Sequence, residues 1–280
     1  MPTKVPKYSL IIPTIGRDVQ VDDLLTSIEK SGIKDFETIL VDQNDDDRLV
    51  SVVKKHKVLK IKHLRVDFKS ATQVRNFGFE KSKGEYIIFP DDDSEFLPDT
   101  VLKVESLFKE FNPDVLTGRA IDRNEGDAVC NFKKTSAWLD MSNYDGRYVE
   151  FTEVYKREIF EKYPFDTEIG VGRFYGSGEA QDQMIRMLRD GVKVYYSSDL
   201  KFFHPVKVNM HESKSEIKRS FFYSCGYSYV CRKNKVKDAD IRLKKLLLYI
   251  PYCMIFKRKY LRYYLAELAG LIAGKYVDLK

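Results

Sequence analysis

The feature that most constrains the fold of this chain is the alternation of short apolar runs with amphipathic stretches over its first ninety residues. The apolar runs, each long enough for one buried strand, are residues 8–14, 36–43, 61–66 and 85–90. Between them, apolar side chains recur at helical spacing, as over residues 21–28, 49–56 and 72–81. Continuous apolar strands joined by helices are typical of a mostly parallel sheet covered by helices on both faces. The sequence therefore predicts an α/β fold.

The remainder of the chain continues this pattern and then departs from it. Further helices are predicted at residues 98–111 and 180–189, further strands at 113–120, 192–196 and 200–205, and a strand followed by a helix at 151–163. Residues 121–150 are polar and weakly patterned, which indicates hairpins or a mobile loop. Later segments are helical only, at 216–231, 241–249 and 260–273. We therefore predict a sheet domain, residues 1–207, and a helical C-terminal region, residues 208–280.

The net charge of +6 is unevenly distributed along the chain. From Val208 onward there are 16 basic against 6 acidic residues, whereas residues 1–207 contain 32 basic against 36 acidic ones. A basic region rich in aromatic residues favours a partner that carries phosphates, either lipid or nucleic acid. Because the sheet domain has a net negative charge, we expect no nucleic acid. The C-terminal region is instead expected either to lie on an anionic membrane surface or to pack on the sheet or against another copy of the chain.

Several features predict a cytoplasmic protein, peripheral on the inner face of the cell membrane. The four cysteines form no CxxC pair, and the N-terminus lacks the apolar core of a signal peptide. The longest uncharged apolar run, Leu246 to Phe256, is eleven residues long and contains Pro251. Such a run is too short to cross a bilayer as a helix.

Polar residues follow three of the predicted strands, at the edge where an open α/β sheet binds its ligands. They are Pro13, Thr14, Gly16 and Arg17 after the first strand, Asp42, Gln43 and Asn44 after the second, and Asp91, Asp92 and Asp93 after the fourth. Adjacent carboxylates repel one another unless a cation neutralises them. Mg²⁺ and Mn²⁺ prefer oxygen ligands and often bind a substrate phosphate as well. The aspartate triplet therefore predicts a metal and phosphate site, the alternative being a solvated turn that caps the next helix.

Three other groups of residues are candidates for binding phosphate or metal, or for acid–base catalysis. Arg75 and Asn76 lie on a predicted helix, where an arginine can bind phosphate or base oxygens with two hydrogen bonds. Glu179 and Asp182 follow a glycine-rich loop and share one face of a helix, so one of them can act as a general base or cap the helix. His204 ends the last predicted strand and is a further candidate metal ligand.

Taken together, these residues resemble the family 2 glycosyltransferases of bacteria, which have the GT-A fold. The matching segments are SLIIPTIGR, ILVDQNDD, ATQVRNFGFEKSKGEYIIFPDDDSEFLPD and GSGEAQDQMIRMLRDGVKVYYSSDLKFFHP. They lie between Tyr8 and Pro205, about seven tenths of the chain. The resemblance implies a Rossmann-like mixed, mostly parallel sheet flanked by helices, here with a C-terminal helical extension.

The resemblance also implies roles for individual residues. Asp91 to Asp93 match the family's DxD-type motif, which binds a nucleotide-sugar donor and Mn²⁺ or Mg²⁺, and His204 lies where many members place a metal-binding histidine. Asp42 matches the acidic residue that reads the nucleotide base, and Arg75 lies in the RN motif. Glu179 and Asp182 match the acidic motif that carries the base, although here the two carboxylates are not adjacent. We favour Glu179 as the base because it directly follows the glycine loop.

The resemblance implies an inverting, metal-dependent transfer of a sugar to a hydroxyl group of a glycan or lipid-linked acceptor, in bacterial surface polysaccharide synthesis. UDP is the expected nucleotide by family analogy, with GDP and dTDP as alternatives. Two other functions compete with this hypothesis. A sugar nucleotidyltransferase shares the sheet but needs a glycine-rich loop after the first strand, where this chain has only Gly16. A nucleic-acid-binding protein would use the basic C-terminal region.

Overall fold

The computed structural model describes residues 5–206 and 211–279. Their contacts divide them into two compact units. The first unit contains residues 5–69, 73–164 and 186–206, and the second contains residues 70–72, 165–185 and 211–279. The domain boundary predicted between residues 207 and 208 lies outside the described residues and stays a prediction.

The elements follow the predicted order closely. The strands are β1 (Tyr8–Thr14), β2 (Phe36–Asp42), β3 (Lys62–Arg65), β4 (Tyr86–Ile88), β5 (Glu95–Phe96), β6 (Val115–Ile121), β7 (Ala137–Trp138), β8 (Val154–Lys156) and β9 (Val194–Phe203). The α-helices are α1 (Val19–Lys30), α2 (Arg48–Lys55), α3 (Ala71–Glu80), α4 (Thr100–Phe111), α5 (Arg157–Lys162), α6 (Glu179–Arg189), α7 (Lys214–Lys233), α8 (Asp238–Phe256) and α9 (Leu261–Tyr276).

All nine strands of the described residues belong to one sheet, which lies in the first unit. Eight of them have the order β3-β2-β1-β4-β8-β6-β9-β5, and β7 pairs with β9. β3, β2, β1 and β4 are parallel, β6 and β9 are also parallel, and β8 runs antiparallel between β4 and β6. This mixed sheet, flanked by helices, confirms the predicted fold class.

The core of the first unit is built on β1 and β2. Every residue of β1 is buried, and the side chains predicted to form the inner face of α1 are buried with it. Helix α3 approaches β1 closely at Gly78, where a Cβ atom would overlap the Ile11 side chain. The parallel register places Thr14 opposite Asp42. The carboxyl ends of both strands therefore present their polar residues at one edge of the sheet.

Two predicted strands, residues 192–196 and 200–205, are in fact the single strand β9. The polar residues between them suggested a break, but Ser198 continues the strand and its backbone N–H donates to Ser136 Oγ over 3.0 Å. The register of β6 against β9 shifts near Gly118. A Cβ atom there would lie 2.6 Å from the Leu200 carbonyl oxygen, so the absence of a side chain permits this close approach.

Within the weakly patterned residues 121–150, the regular structure consists of β7, an antiparallel bridge between Ile121 and Asp127, and the first residue of a 3₁₀ helix, Glu150–Thr152. The segment is thus mostly loop and turn, as its composition predicted.

Helices α7, α8 and α9 make up most of the second unit. α7 and α9 pack closely because Gly270 and Gly274 face α7. Helix α8 is longer than the predicted 241–249, since it continues through Pro251 to Phe256. Pro251 has no backbone N–H and therefore removes one helical hydrogen bond, but the helix continues beyond it. Among the described helices, none combines the length and apolarity that crossing a bilayer requires.

Candidate active site

The aspartate triplet follows β4 and is neutralised by cationic side chains of the first unit. Arg17, in the turn after β1, forms ion pairs with Asp92 and, over 2.7 Å, with Asp93. Arg75, on α3, lies with Nη2 2.7 Å from Asp91 Oδ1. The two arginines predicted to bind the donor therefore lie beside the triplet. Their guanidinium groups supply much of the charge compensation that three crowded carboxylates need.

The three aspartates are not equivalent. Burial raises the pKa of Asp92 to about 6, although the Arg17 charge opposes this effect. For Asp93, burial alone would raise the pKa, but the hydrogen bonds with His204 and Arg17 outweigh it and hold the pKa below its usual range. Asp93 is therefore an ionised carboxylate at neutral pH, as a metal ligand must be.

Asp91, Asp93 and His204 form a group that can hold a metal ion. One ligand atom from each lies within 4.8 Å of the other two. His204 Nε2 is 3.3 Å from Asp93 Oδ1, while Nδ1 is 2.8 Å from the Pro205 carbonyl oxygen. A proton on Nδ1 satisfies that carbonyl and leaves the Nε2 lone pair facing the carboxylates. Two carboxylates and one imidazole suit Mn²⁺ better than Mg²⁺, because Mg²⁺ favours oxygen ligands alone.

A ring contact also fixes the histidine. The ring of Phe151 stacks on His204 with 5.0 Å between the ring centroids. Burial would lower the pKa of His204, but its hydrogen bond with Asp93 raises that pKa above the ordinary value. A proton and a metal ion would thus compete for the same nitrogen.

Asp42 is fully buried at the end of β2 and has several partners. Its Oδ2 lies 2.8 Å from His63 Nε2, and its Oδ1 accepts hydrogen bonds from the backbone and side-chain nitrogens of Asn44. Asn44 Oδ1 in turn accepts a hydrogen bond of 2.6 Å from the Gly16 backbone N–H. The structure thus links the loops after β1 and β2 through Asn44. His63, on β3, is a neighbour that the sequence pattern did not indicate.

The other predicted donor residues lie in or next to these loops. Pro13 and Thr14 are buried in β1, and Gln43 donates a backbone hydrogen bond of 3.0 Å to the Thr14 carbonyl. Gly16 is exposed with a φ of 74°, a conformation that glycine adopts without strain. Asn76 is half-buried beside Arg75 on α3.

Arg75 is buried among carboxylates that the sequence did not single out. Its Nη2 lies 3.5 Å from Glu150 Oε1, and its charge also acts on the fully buried Glu153. Both glutamates come from the segment that leads into β8, which has little periodicity. This additional anionic environment holds Arg75 in place beside Asp91.

Glu179 begins α6, in the second unit, one residue before the predicted start of this helix. It is buried and lies next to Gly170, whose φ is 115°. A Cβ atom on Gly170 would lie 3.5 Å from the Glu179 carboxyl carbon and 3.0 Å from Thr72 Cγ2. The glycine therefore allows the loop to approach the carboxylate closely.

Asp182 has a different environment within the same unit. It is fully buried, and its Oδ1 accepts a 2.8 Å hydrogen bond from Asn234 Nδ2 and lies 2.8 Å from Lys233 Nζ. Burial would lower the pKa of Lys233, but hydrogen bonds with Asp166 and Asp182 raise it. Asp182 thus connects α6 to the C-terminal end of α7.

The second unit also contains an open pocket of about 280 Å³. Its lining is mostly polar and aromatic and consists of Ser177, Tyr223, Ser224, Tyr227, Arg242, Glu267 and Leu271. The Arg242 Nε and Nη2 atoms both lie 2.6 Å from Glu267 Oε1. Hydroxyl groups, aromatic rings and a fixed ion pair are suited to a polyhydroxylated ligand. Ser177 is two residues from Glu179 in the chain.

The sequence model of glycosyl transferase family 2 matches residues 9–176. The chain belongs to this family. The matched residues run from β1 to beyond β8 and contain the aspartate triplet.

Curated relatives of this family 2 chain are bacterial enzymes. It is 28% identical over 186 residues to GalNAc(5)-diNAcBac-PP-undecaprenol beta-1,3-glucosyltransferase of Campylobacter jejuni, an alignment that covers 62% of the chain and 57% of that enzyme. It is 25% identical over 242 residues to poly(ribitol-phosphate) beta-N-acetylglucosaminyltransferase TarP of Staphylococcus aureus, covering 83% of the chain and 72% of TarP. The chain thus spans less than two thirds of the Campylobacter enzyme.

Solved structures share the fold of the family 2 chain. S. aureus TarS 1–349 in complex with UDP-GlcNAc superposes with a TM-score of 0.63 at 16% identity, covering 96% of this chain and 90% of that one. The mannosyltransferase PcManGT from Pyrobaculum calidifontis, in complex with GDP-Man and Mn²⁺, superposes with a TM-score of 0.67 at 13% identity, covering 98% and 88%. These likenesses confirm the GT-A fold.

Proposed function

We propose that this chain transfers a sugar from a UDP-sugar to a hydroxyl group of a glycan or lipid-linked acceptor in bacterial surface polysaccharide synthesis. The observation that carries this proposal is the grouping of Asp91, Asp93 and His204 within metal-binding distance. The family match and the names of the relatives support it, because TarP acts on poly(ribitol-phosphate) and the Campylobacter enzyme on an undecaprenol-linked glycan. TarS, which shares the fold, was solved with UDP-GlcNAc.

We propose Mn²⁺ as the metal, with Mg²⁺ as the alternative, held by Asp91, Asp93 and His204. When bound, such an ion offsets the negative charge that grows on the departing nucleoside diphosphate. The donor set fits this role, and PcManGT, with the same fold, was solved with Mn²⁺.

The residues around this group have proposed roles in donor binding. Arg17 and Arg75 form ion pairs with the aspartates and are themselves cations beside the place proposed for the diphosphate. Asp42 and the loops that Asn44 connects are proposed to hold the base and ribose. Because Asp42 is fully buried and already hydrogen-bonded, we propose that it orients His63 and Asn44 as well as the base.

We propose Glu179 as the general base that removes the proton from the acceptor hydroxyl. Asp182 is the weaker candidate, because Lys233 and Asn234 engage its carboxylate and it is fully buried. We assign Asp182 a positioning role, in which it fixes the first turn of α6 and hence Glu179. We propose that the polar and aromatic pocket of the second unit, which Ser177 helps to line, receives part of the acceptor glycan.

The test is a thermal-shift panel of UDP-, GDP- and dTDP-sugars, each with and without Mn²⁺, on the full chain. We expect UDP-sugars with Mn²⁺ to raise the Tm, and Asp93→Asn and His204→Ala to abolish the Mn²⁺-dependent part of that rise. Asp67→Asn, a substitution of an exposed aspartate, is the matched control. A Tm that no nucleotide sugar raises, with or without the ion, would contradict the proposal.

We further propose that the chain acts in the cytoplasm and that residues 208–280 form a functional region apart from the sheet domain of residues 1–207. A fusion assay that reports the compartment, in the organism of origin, tests the first point. Detection of the fusion outside the cytoplasm would overturn it.

A further inference from the structure

Helix α8, in the second unit, has two opposite faces that are both apolar. Its buried face repeats every seven residues at Ala239, Leu246 and Cys253. The outward face repeats at the same interval, at Ile241, Leu248 and Ile255. Leu248 is 81% exposed and Ile255 is 67% exposed, and Phe256, at the end of the helix, is 69% exposed. A large apolar stripe on the outside of a helix is unfavourable in water and marks a contact surface.

Basic residues border this stripe. Between Lys244 and Leu265 there are six lysines and arginines and no acidic residue. Among the described residues, no carboxylate lies within ion-pair distance of Lys244, Lys245, Lys257 or Arg258. The surface therefore combines exposed apolar side chains with a concentrated positive charge.

This combination favours a lipid surface over a second copy of the chain. In a symmetric dimer through this stripe, the carboxylates that α8 offers to the partner's cations are Asp238 and Asp240, and Asp240 already pairs with Lys275 Nζ over 2.6 Å. An anionic bilayer offers hydrocarbon for the apolar side chains and phosphates for the bordering cations. The aromatic rings of Tyr252 and Phe256, which lie at the same end of α8, suit the headgroup level.

We infer that the outward face of α8, from Ile241 to Phe256, together with Lys257 to Arg262, binds the surface of an anionic membrane. In this arrangement the helix lies in the plane of the surface, and the lysines and arginines contact lipid phosphates. Membrane binding does not depend on the proposed transferase activity, because a vesicle can be bound without donor or acceptor.

The test is flotation of the full chain with vesicles of phosphatidylcholine alone and of phosphatidylcholine mixed with phosphatidylglycerol. We expect binding to the anionic vesicles only, weakened by salt. Leu248→Asp should reduce the partition coefficient by about tenfold or more, because it places a charge in the apolar contact. The matched control is Val58→Asp, since Val58 is 83% exposed in the first unit and its substitution should leave binding unchanged.

Two matched charge-reversal variants separate lipid binding from a general effect of net charge. Lys257→Glu, Arg258→Glu and Lys259→Glu together should abolish binding to anionic vesicles. The control variant combines three substitutions that change the net charge equally at exposed positions of the first unit, and it should still bind: Lys30→Glu, Lys34→Glu and Lys57→Glu. Membrane binding by this face is ruled out if the unmodified chain does not float, if Leu248→Asp floats equally well, or if the chain forms a dimer that Leu248→Asp dissociates.

Discussion

At the scale of single residues, the most unusual group in the first unit is Glu153. This carboxylate is fully buried, accepts a hydrogen bond from the Tyr155 hydroxyl through Oε2, and has no hydrogen-bond partner for Oε1 among the described residues. Burial raises the pKa of Glu153 to about 7, although Tyr155 and the charge of Arg75 oppose the rise. An ionised carboxylate without full hydrogen bonding is costly inside a protein.

The raised pKa of Glu153 predicts a specific pH dependence of stability. Between the ordinary glutamate pKa and about 7, the folded state binds more protons than the unfolded state, so the free energy of unfolding falls as pH rises. For one such group, the free energy of unfolding falls by about 3 kcal/mol over this pH range. Glu153→Gln mimics the protonated side chain and should flatten that part of the profile. Denaturant unfolding from pH 4 to 8 measures the difference between the two proteins. Parallel profiles would show that Glu153 does not titrate as we predict.

The two carboxylates of α6 should respond differently to neutral replacement. Glu179→Gln should lower kcat by roughly 10²–10⁴-fold with little change in donor affinity, because it removes a general base but keeps the shape of the side chain. Asp182→Asn should mainly lower stability, by about 1–3 kcal/mol, since it leaves Lys233 without part of its compensation. Transfer assays and Tm values for both variants test this. A kcat loss confined to Asp182→Asn would reverse the assignment.

At the scale of elements, the close packing of α7 against α9 depends on glycine. A Cβ atom at Gly274 would overlap the Cys225 carbonyl oxygen, and one at Gly270 would overlap that of Phe221. Backbone atoms cannot move aside as a flexible side chain can, so Gly274→Ala should force the helices apart.

We expect Gly274→Ala to lower the free energy of unfolding by about 1–3 kcal/mol or more, despite the higher helix propensity of alanine. Ala269→Ser, on the exposed side of the same helix, is the control and should change stability little. Thermal and urea denaturation measure both. A more stable Gly274→Ala variant would mean that the two helices are not packed as closely as described.

The elements also show what the sequence could predict. β1 and α1 were predictable, because their apolar periods are strong and local. The single strand β9 was not, since Ser197 and Ser198 look like a break, whereas Ser198 forms hydrogen bonds with Ser136, which is distant in sequence. For the site, the acidic residues at strand ends could be found from position alone. His63 and Glu150 could not, because only the folded sheet brings them beside Asp42 and Arg75.

At the scale of the whole molecule, the chain divides its chemistry between two compact units. The first holds the aspartate triplet and His204, and the second holds Glu179, the polar pocket and the outward face of α8. If both proposals hold, a nucleotide and a membrane bind different parts of the chain. A ligand protects the amides of the segment that it binds by making local opening less frequent.

Hydrogen exchange followed by mass spectrometry should therefore separate the two ligands. UDP with Mn²⁺ should slow exchange at residues 13–18, 88–96 and 199–206, which contain Arg17, the triplet and His204, and leave residues 238–262 unchanged. Anionic vesicles should give the opposite pattern. His204→Ala should remove the Mn²⁺-dependent protection only, because the outward face of α8 contains none of the proposed metal ligands. Protection of residues 238–262 by UDP and Mn²⁺ alone would contradict this division, since it would mean that the nucleotide acts on the segment assigned to the membrane.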